Sequence, residues 1–314
     1  MQNTGNQTGQ VDAAGRLKTS KIAMYGAVAV PAAMFGYPIA IWLPPFYAGE
    51  LGISLAAIAS MLFIARLTDI VTDPIVGYIS DHLKGPWGRR KPIIALGVPI
   101  LLIGIVMLFM PGYIWGGVPG AWYLLVWYMV MYFGVTLMFL PYGAWGAELS
   151  PDYHERSRIM GIREFFTLGG LILAAAIPAV VQGTGRVSAA DVLAVMALVV
   201  VAITPPIVAL ALWRVKENPD AGRQNIPLME GLKLVARNGP MVRILLIHII
   251  VVAGEAFRNA LSLFFMRDVI GIHGIGALYL VYFSAGLLAI PLWVRLGKKM
   301  GKHRAFAVCM AVVG

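Results

Sequence analysis

Residues 61–77 read MLFIARLTDIVTDPIVG, an apolar segment that contains three charged side chains. Arg66, Asp69 and Asp73 are spaced i, i+3 and i+7, so a helix places all three on one face. The surrounding apolar run, 54–79, is long enough to cross a hydrocarbon core of roughly 30 Å as a helix. Ionised groups are costly at that depth and usually belong to an ion or substrate pathway. The pattern predicts a membrane helix with a functional polar face.

The composition of the whole chain favours a membrane protein. Of its 314 residues, 59% are hydrophobic and 13% are charged, and the mean hydropathy is +0.79. Soluble domains are closer to half apolar and a quarter charged, and disordered chains carry more charge still. The composition therefore argues against a soluble globule and excludes a disordered chain. Cys309 is the single cysteine, which rules out a disulfide framework and a cysteine-built zinc site.

Further apolar stretches have the length of a membrane span, roughly 20 residues. The first is no cleaved signal peptide, because it is too long and follows a polar leader. In chain order, the predicted spans are 21–47, 54–79, 92–111, 122–147, 164–182, 191–213, 242–266 and 276–296, and a ninth begins at Ala305.

The basic residues predict the topology. All but four of the 25 Lys and Arg residues fall in alternate loops, on one side of the predicted membrane. Arg66 and Arg258 lie inside spans, and Arg186 and Arg267 lie in the opposite loops. Basic loops stay in the cytoplasm, so the N-terminus is expected there. The net charge of +10 alone would allow nucleic-acid binding, but charges divided among short membrane-edge loops argue against that partner.

The order of spans predicts two helical bundles joined by a polar connector. A glycine-plus-basic turn at 88–92 is repeated at 301–304, and two parallel six-helix halves form one architecture of secondary transporters. We expect a piece of a twelve-helix protein that stops in the ninth helix and does not transport without the last three. The expected parts are a cytoplasmic leader (1–20), an N-terminal six-helix bundle (21–213), a cytoplasmic connector (214–241) and a partial C-terminal bundle (242–314).

The charges of the second span describe a cation site. Two carboxylates and one guanidinium leave a net charge of −1, which one further cation would balance. Oxygen ligands with that deficit fit Na⁺, Li⁺ or H⁺. Crowded carboxylates resist double ionisation, so an ion between them would change the local charge and bias helix packing. The alternative is a structural ion pair between Arg66 and one carboxylate.

Two motifs give the chain a family resemblance. The motif Arg66-x-x-Asp69-x-x-x-Asp73-Pro74-x-x-Gly77, followed by Trp87-Gly88-Arg89-Arg90-Lys91-Pro92, resembles the glycoside–pentoside–hexuronide:cation symporters of the major facilitator superfamily. The likeness runs from Tyr25 to about Phe166 and includes Asp81 and the segment 148–156. It implies an all-α polytopic membrane protein with the major facilitator superfamily fold, and cation-coupled symport by alternating access.

The resemblance implies roles for individual residues. Asp69 and Asp73 are the implied cation ligands, and Thr136 falls where the fourth span supplies a hydroxyl. The family has an asparagine where Thr72 stands, which leaves Na⁺ or H⁺ open. Arg163 corresponds to the sugar-site arginine of the fifth span, and its alternative role is a positive charge at the cytoplasmic edge.

The sequence also departs from the family's sugar site. Ala33 and Phe139 replace acidic residues that accept hydrogen bonds from sugar hydroxyls, which neither side chain can do. Phe139 still belongs to the predicted solute site, as do Tyr37 and Tyr142. Their aromatic faces can stack on a sugar ring, or on lipid.

The seventh span carries a further polar cluster. Glu255, Arg258 and Asn259 are spaced i, i+3 and i+4 in an apolar stretch, and we predict that they contact solute in a central cavity. A self-satisfied Glu–Arg pair is the alternative.

A cytoplasmic gating loop is predicted after the second span. Its residues are Gly77, Asp81, Gly88, Arg89 and Arg90, and the charges of Asp81 and the arginines form the expected latch. The alternative is that these charges serve topology alone.

The prediction is a cation-coupled symporter of a sugar or glycoside, in a bacterial inner membrane. One alternative is a carrier of an amphiphile such as a lysophospholipid, and another is a non-transporting sensor with a transporter fold. No nucleophile elbow, zinc-protease motif or phosphate-cradling loop is present, so no enzyme is predicted. No cofactor or metal is expected beyond a transported Na⁺ or H⁺. The expected partners are the lipid bilayer and a small solute, with the protein a monomer.

Overall fold

The first span is divided into three helices by its prolines. In the computed structural model it comprises α1 (Thr19–Gly26), α2 (Ala29–Ile41) and α3 (Leu43–Gly49). Pro31 has no N–H to donate to the carbonyl of Ala27, the residue that follows the end of α1. Leu43 is followed by two prolines, which are tolerated in the first turn of α3. The model describes residues 16–83, 85–114, 119–183, 188–218, 228–265, 269–271 and 275–313.

The rest of the described chain is also helical. Apart from turns and short connections, these residues form helices, which confirms the all-α expectation. The helices after α3 are α4 (Leu55–His82), α5 (Lys91–Phe109), α6 (Pro111–Ile114), α7 (Ala121–Glu148), α8 (Tyr153–Gly183), α9 (Ala189–Arg214), α10 (Leu228–Arg237), α11 (Gly239–Phe264), α12 (Ile275–Met300) and α13 (Lys302–Val313).

Six segments of the described chain are long and apolar enough to cross a membrane. A seventh is added if α10 and the first part of α11 are taken as one bent span. The protein is therefore an integral membrane protein. The six segments are Thr19–Gly49, Leu55–His82, Lys91–Phe109, Ala121–Glu148, Tyr153–Pro178 and Ala189–Arg214.

Helix α8 starts earlier than the apolar pattern predicts. The expected span began at 164, whereas the helix begins at Tyr153. Asp152 explains the start, because its Oδ1 accepts a hydrogen bond of 2.8 Å from the N–H of Glu155 and so caps the first turn. The basic segment from Arg156 to Arg163 is therefore helical and not a loop.

Helices α4, α5 and α7 pack closely in the first of two compact units, which takes in residues 1–221 and 280–314. Glycines permit the approach of α5 to α7, because a Cβ on Gly104 would lie 2.5 Å from the Cα of Met131. In membranes such small residues let helix backbones approach each other. Helix α4 contacts α7 on one side and leaves side chains such as Phe63 and Ile70 exposed.

The second unit covers residues 222–279 and contains α10 and α11. Apolar side chains such as Ile244 and Ile250 are exposed along α11, as expected for a helix in contact with lipid. The predicted bundle and connector boundaries at 21, 214 and 242 stay predictions.

Candidate functional site

The contact between α4 and α7 positions the second acid of the predicted cation site. The Oγ1 of Thr136 donates a hydrogen bond of 2.8 Å to the Oδ1 of Asp73. Thr136 is buried, and beside it Leu137 packs with Val76 in a small apolar cluster. A Cβ on Gly77 would lie 3.3 Å from Leu140, so this glycine allows α4 to lie close to α7. The structure therefore brings Asp73 and Thr136 together.

Asp69 and Arg66 lie about one and two turns before Asp73 on the same face of α4. The Nη1 of Arg66 is 3.4 Å from the Oδ2 of Asp69, while its Nη2 donates a hydrogen bond of 2.6 Å to the hydroxyl of Tyr132. The guanidinium also lies 3.8 Å from the centroid of the Tyr132 ring, which in turn contacts Tyr128. The side chain of Arg66 is 53% exposed and that of Asp69 is 18% exposed. Arg66 is thus shared between one carboxylate and an aromatic ring.

Tyr128 and Tyr132 were not predicted as site residues from the sequence. Both tyrosines precede Thr136 on α7 at intervals of four residues, so the three form one stripe on the helix. That stripe was the available signal, since polar atoms recurring at helical spacing in a span are uncommon.

Thr72 directly precedes Asp73 on α4 and carries a hydroxyl group. Its Oγ1 is buried and has no hydrogen-bond partner among the residues that the structure describes. A buried hydroxyl without a partner is costly. This atom therefore has unused capacity to bind a ligand.

Three residues predicted to contact solute lie near the contact between α1 and α7. Tyr142 is buried and stacks on Tyr25 with ring centroids 4.5 Å apart. The guanidinium of Arg163 interacts electrostatically with both tyrosines. Phe139 contacts the rings of Phe35 and Tyr142, at centroid distances of 5.9 and 6.1 Å. Tyr142 thus joins Arg163, Phe139 and Tyr25 in one group. Tyr25 was not among the residues predicted to contact solute.

The other predicted solute residues lie elsewhere. Tyr37 is buried and meets Phe283 edge to face, with ring centroids 6.3 Å apart. The side chains of Glu255, Arg258 and Asn259 lie outside the described residues.

The predicted gating loop forms a charge cluster. The Nη2 of Arg90 lies 2.8 Å from the Oδ1 of Asp81, and its Nε donates a hydrogen bond of 3.0 Å to the Oε2 of Glu148. Arg89 reaches the same oxygen at 3.1 Å. Burial alone would lower the pKa of the Arg90 guanidinium, but Glu148 and then Asp81 favour its charged form and raise the pKa above its ordinary value. Arg90 therefore stays charged while it links α4 to α7.

Glu217 holds the start of α5, a role that the sequence did not predict. Its carboxylate accepts hydrogen bonds from the backbone N–H groups of Arg89, Arg90 and Lys91, at 2.8, 3.1 and 2.9 Å. Gly88 has a φ of +101°, and a Cβ there would lie 2.6 Å from this carboxylate. A carboxylate at a helix N-terminus accepts hydrogen bonds from the unpaired N–H groups and interacts favourably with the positive end of the helix dipole.

Comparisons with known proteins identify the family of the chain. The family described as MFS/sugar transport protein matches residues 24–314. The isoprimeverose transporter of Lactiplantibacillus pentosus is 26% identical over 288 aligned positions, gaps included, which cover 88% of this chain and 59% of that protein. The sphingosine-1-phosphate transporter of Mus musculus is 24% identical over 323 aligned positions, gaps included, which cover 95% of the chain and 65% of that protein.

A third relative is the sodium-dependent lysophosphatidylcholine symporter 1 of Xenopus tropicalis. It is 29% identical over 145 residues, which are 45% of this chain and 25% of that protein. The chain thus spans less than two thirds of the length of each of these relatives. The matched family covers nearly the whole chain. The chain therefore belongs to the MFS/sugar transport protein family, which confirms its resemblance to the glycoside–pentoside–hexuronide:cation symporters and its major facilitator superfamily fold.

Proposed function

We propose that the protein couples entry of a sugar or glycoside to Na⁺ or H⁺ moving down its gradient. The observation that carries this proposal is the 2.8 Å hydrogen bond from Thr136 to Asp73. It joins an acid on one span to a hydroxyl on another, at a depth where an unused charge would be costly.

The cation site consists of oxygen atoms on two helices. One oxygen of Asp73 accepts from Thr136, and the carboxylate retains lone pairs for an ion. Asp69 receives one contact from Arg66, at 3.4 Å. The hydroxyl of Thr72, which has no partner among the residues that the structure describes, would add a further oxygen. Such a set of hard oxygen ligands with a net charge of −1 suits a monovalent cation or a proton.

Coupling follows from the charge of this site. Without a cation, two acids and one arginine leave an uncompensated negative charge within the membrane. A bound cation neutralises it and changes the relative stability of the helix arrangements that hold the ligands. The charge cluster of Arg90, Glu148 and Asp81 would stabilise one of these arrangements from the end of the bundle. These elements support transport by alternating access.

The solute would bind near the aromatic group of Phe139, Tyr142 and Arg163, with Tyr37 contributing from its own position. Aromatic faces stack on sugar rings, and a guanidinium donates hydrogen bonds to hydroxyl oxygens. A sugar is the first choice because the isoprimeverose transporter matches most of the chain.

An amphiphile is the second candidate. Phe139 contacts Phe35 and Tyr142, so the surroundings of this position are apolar. A sugar site that uses acidic residues would need a hydrogen-bond acceptor at this position. The sphingosine-1-phosphate and lysophosphatidylcholine carriers among the relatives also favour this cargo.

The proposal further places the protein as a monomer in a bacterial inner membrane, with the N-terminus in the cytoplasm.

Uptake by the complete protein in vesicles tests the proposal. We expect accumulation of a labelled glycoside to require an inward Na⁺ or H⁺ gradient, and Asp73→Asn to abolish it. Asp191→Asn is the control, because Asp191 lies at the start of α9, away from the α4–α7 contact. Uptake independent of both ions contradicts coupling. Uptake of a lysolipid without sugar uptake favours the amphiphile, and binding without flux favours the sensor.

A further inference from the structure

Helix α10 has one charged face in an otherwise apolar helix. Its sequence is LMEGLKLVAR. Glu230, Lys233 and Arg237 are spaced i, i+3 and i+7, so they share one side of the helix. Every other position is apolar or glycine. A helix divided in this way is suited to the boundary between water and hydrocarbon.

The chain turns sharply after this helix. Helix α10 and the first part of α11 meet at 90°. Asn238 occupies the corner, where its N–H donates to the carbonyls of Leu234 and Val235 and its Oδ1 accepts from the N–H of Met241 at 3.1 Å. Pro240 has no N–H, so it cannot continue the hydrogen-bond ladder of α10 into α11.

The turn fixes the direction of α10 relative to a membrane. Helix α11 has 26 residues and exposes Ile244, Leu246 and Ile250. At 1.5 Å per residue this helix is long enough to cross the hydrocarbon core. A helix at 90° to a crossing helix lies parallel to the membrane surface.

The side chains of α10 match such a surface. Met229 is 65% exposed and Leu234 is 54% exposed. In the part of this unit that the structure describes, these two side chains are therefore not covered by protein. Lys233 and Arg237 are also exposed, and Arg243 follows in the early turns of α11. These three basic residues outnumber the single acid Glu230. Anionic headgroups would neutralise the excess positive charge.

We propose that α10 is an interfacial helix that binds the anionic phospholipids of the membrane surface. Lys233, Arg237 and Arg243 contact the headgroup phosphates, and the apolar side of the helix lies among the upper acyl chains. Val235 is on that side, opposite Arg237. This binding is independent of the solute and of the coupling ion.

A fluorophore on α10 of the complete protein tests the proposal. Val235→Cys carries the label in a Cys309→Ser background, because Cys309 is the single native cysteine. The protein is reconstituted in phosphatidylcholine vesicles with or without phosphatidylglycerol. We expect a quencher on the acyl chains to reach the label, aqueous iodide to be excluded, and phosphatidylglycerol to strengthen both effects.

Charge variants give the decisive comparison. Lys233→Gln and Arg237→Gln should each lower the equilibrium constant for binding of the labelled helix to the membrane surface about five-fold at low salt. Added salt should reduce the difference between each variant and the unsubstituted helix. Glu230→Gln should strengthen docking by a similar factor, and a folding defect would not produce that opposite sign. Equal docking in both lipid mixtures overturns the proposal. So does a label that neither quencher reaches, because the helix would then be covered by protein.

Discussion

Tyr25 of α1 and Tyr142 of α7 each donate a hydroxyl hydrogen bond to the backbone carbonyl of the other, at 3.1 and 3.0 Å. Both residues are buried and their rings stack. The pair joins the first and fourth spans across 117 residues of sequence. Because each hydroxyl satisfies a carbonyl of the opposite helix, the pair fixes both the distance and the register of the two spans.

This pair predicts a marked difference between two glycines of α7. A Cβ on Gly146 would lie 1.9 Å from the hydroxyl of Tyr25, whereas no atom of the described residues lies within 4 Å of a Cβ on Gly143. Gly146→Ala must displace Tyr25, so we expect it to lower the free energy of unfolding by about 1–3 kcal/mol. Gly143→Ala should be neutral or stabilise α7 by up to about 1 kcal/mol. Thermal unfolding in detergent measures both, and equal midpoints would contradict the packing described.

Thr136→Val tests the hydrogen bond to Asp73. The substitution keeps the shape of the side chain and removes its donor, so Asp73 loses a charge-assisted hydrogen bond worth about 1.5–3 kcal/mol. We expect the apparent affinity for the coupling cation to change by about ten-fold or more. Thr204→Val is the matched control, because Thr204 is also buried but donates within its own helix, to Val200. An unchanged ion dependence in Thr136→Val would remove Thr136 from the site.

Glu217 is expected to protect the first amides of α5. Glu217→Gln removes the negative charge from three backbone N–H groups, so the amides of Arg89, Arg90 and Lys91 should exchange with solvent faster, by about five-fold if the loss is about 1 kcal/mol. Hydrogen exchange followed by mass spectrometry resolves this segment. Glu164→Gln, an exposed position on α8, is the control. Unchanged protection in Glu217→Gln would show that the carboxylate does not stabilise this end of α5.

Arg90 and Glu148 should be strongly coupled. The side chain of Arg90 is 7% exposed and that of Glu148 is 19% exposed. Removing one partner leaves a desolvated charge, so Arg90→Leu should lower the free energy of unfolding by about 3 kcal/mol. The double variant Arg90→Leu with Glu148→Leu should lose less stability than the two single variants added together. Arg158 is 33% exposed and lies 3.3 Å from Glu155, so this pair should show a coupling of at most about 1 kcal/mol in the same kind of double-mutant cycle. Equal coupling in both cycles would contradict a special role for Arg90.

Part of the candidate site could be predicted from the sequence because side chains on a helix return to the same face about every 3.6 residues. The spacing of Arg66, Asp69 and Asp73 was enough to place the charges on one face of α4, whatever that helix packs against. Periodicity failed for α8, where the cap by Asp152 extends the helix beyond the apolar residues. The stripe of Tyr128, Tyr132 and Thr136 was also visible, but only the packing of α4 on α7 gives it a partner.

The membrane class, the approximate spans and the charged face of α4 could be predicted from the amino acids alone, since apolar length and helical spacing are local properties. The partners of these groups follow only from the packing of the helices: Thr136 pairs with Asp73, Tyr132 with Arg66, and Glu217 with the start of α5. Glu217 lies 128 residues from Arg89 along the chain. No local pattern connects positions that far apart, because their contact depends on how the helices between them pack.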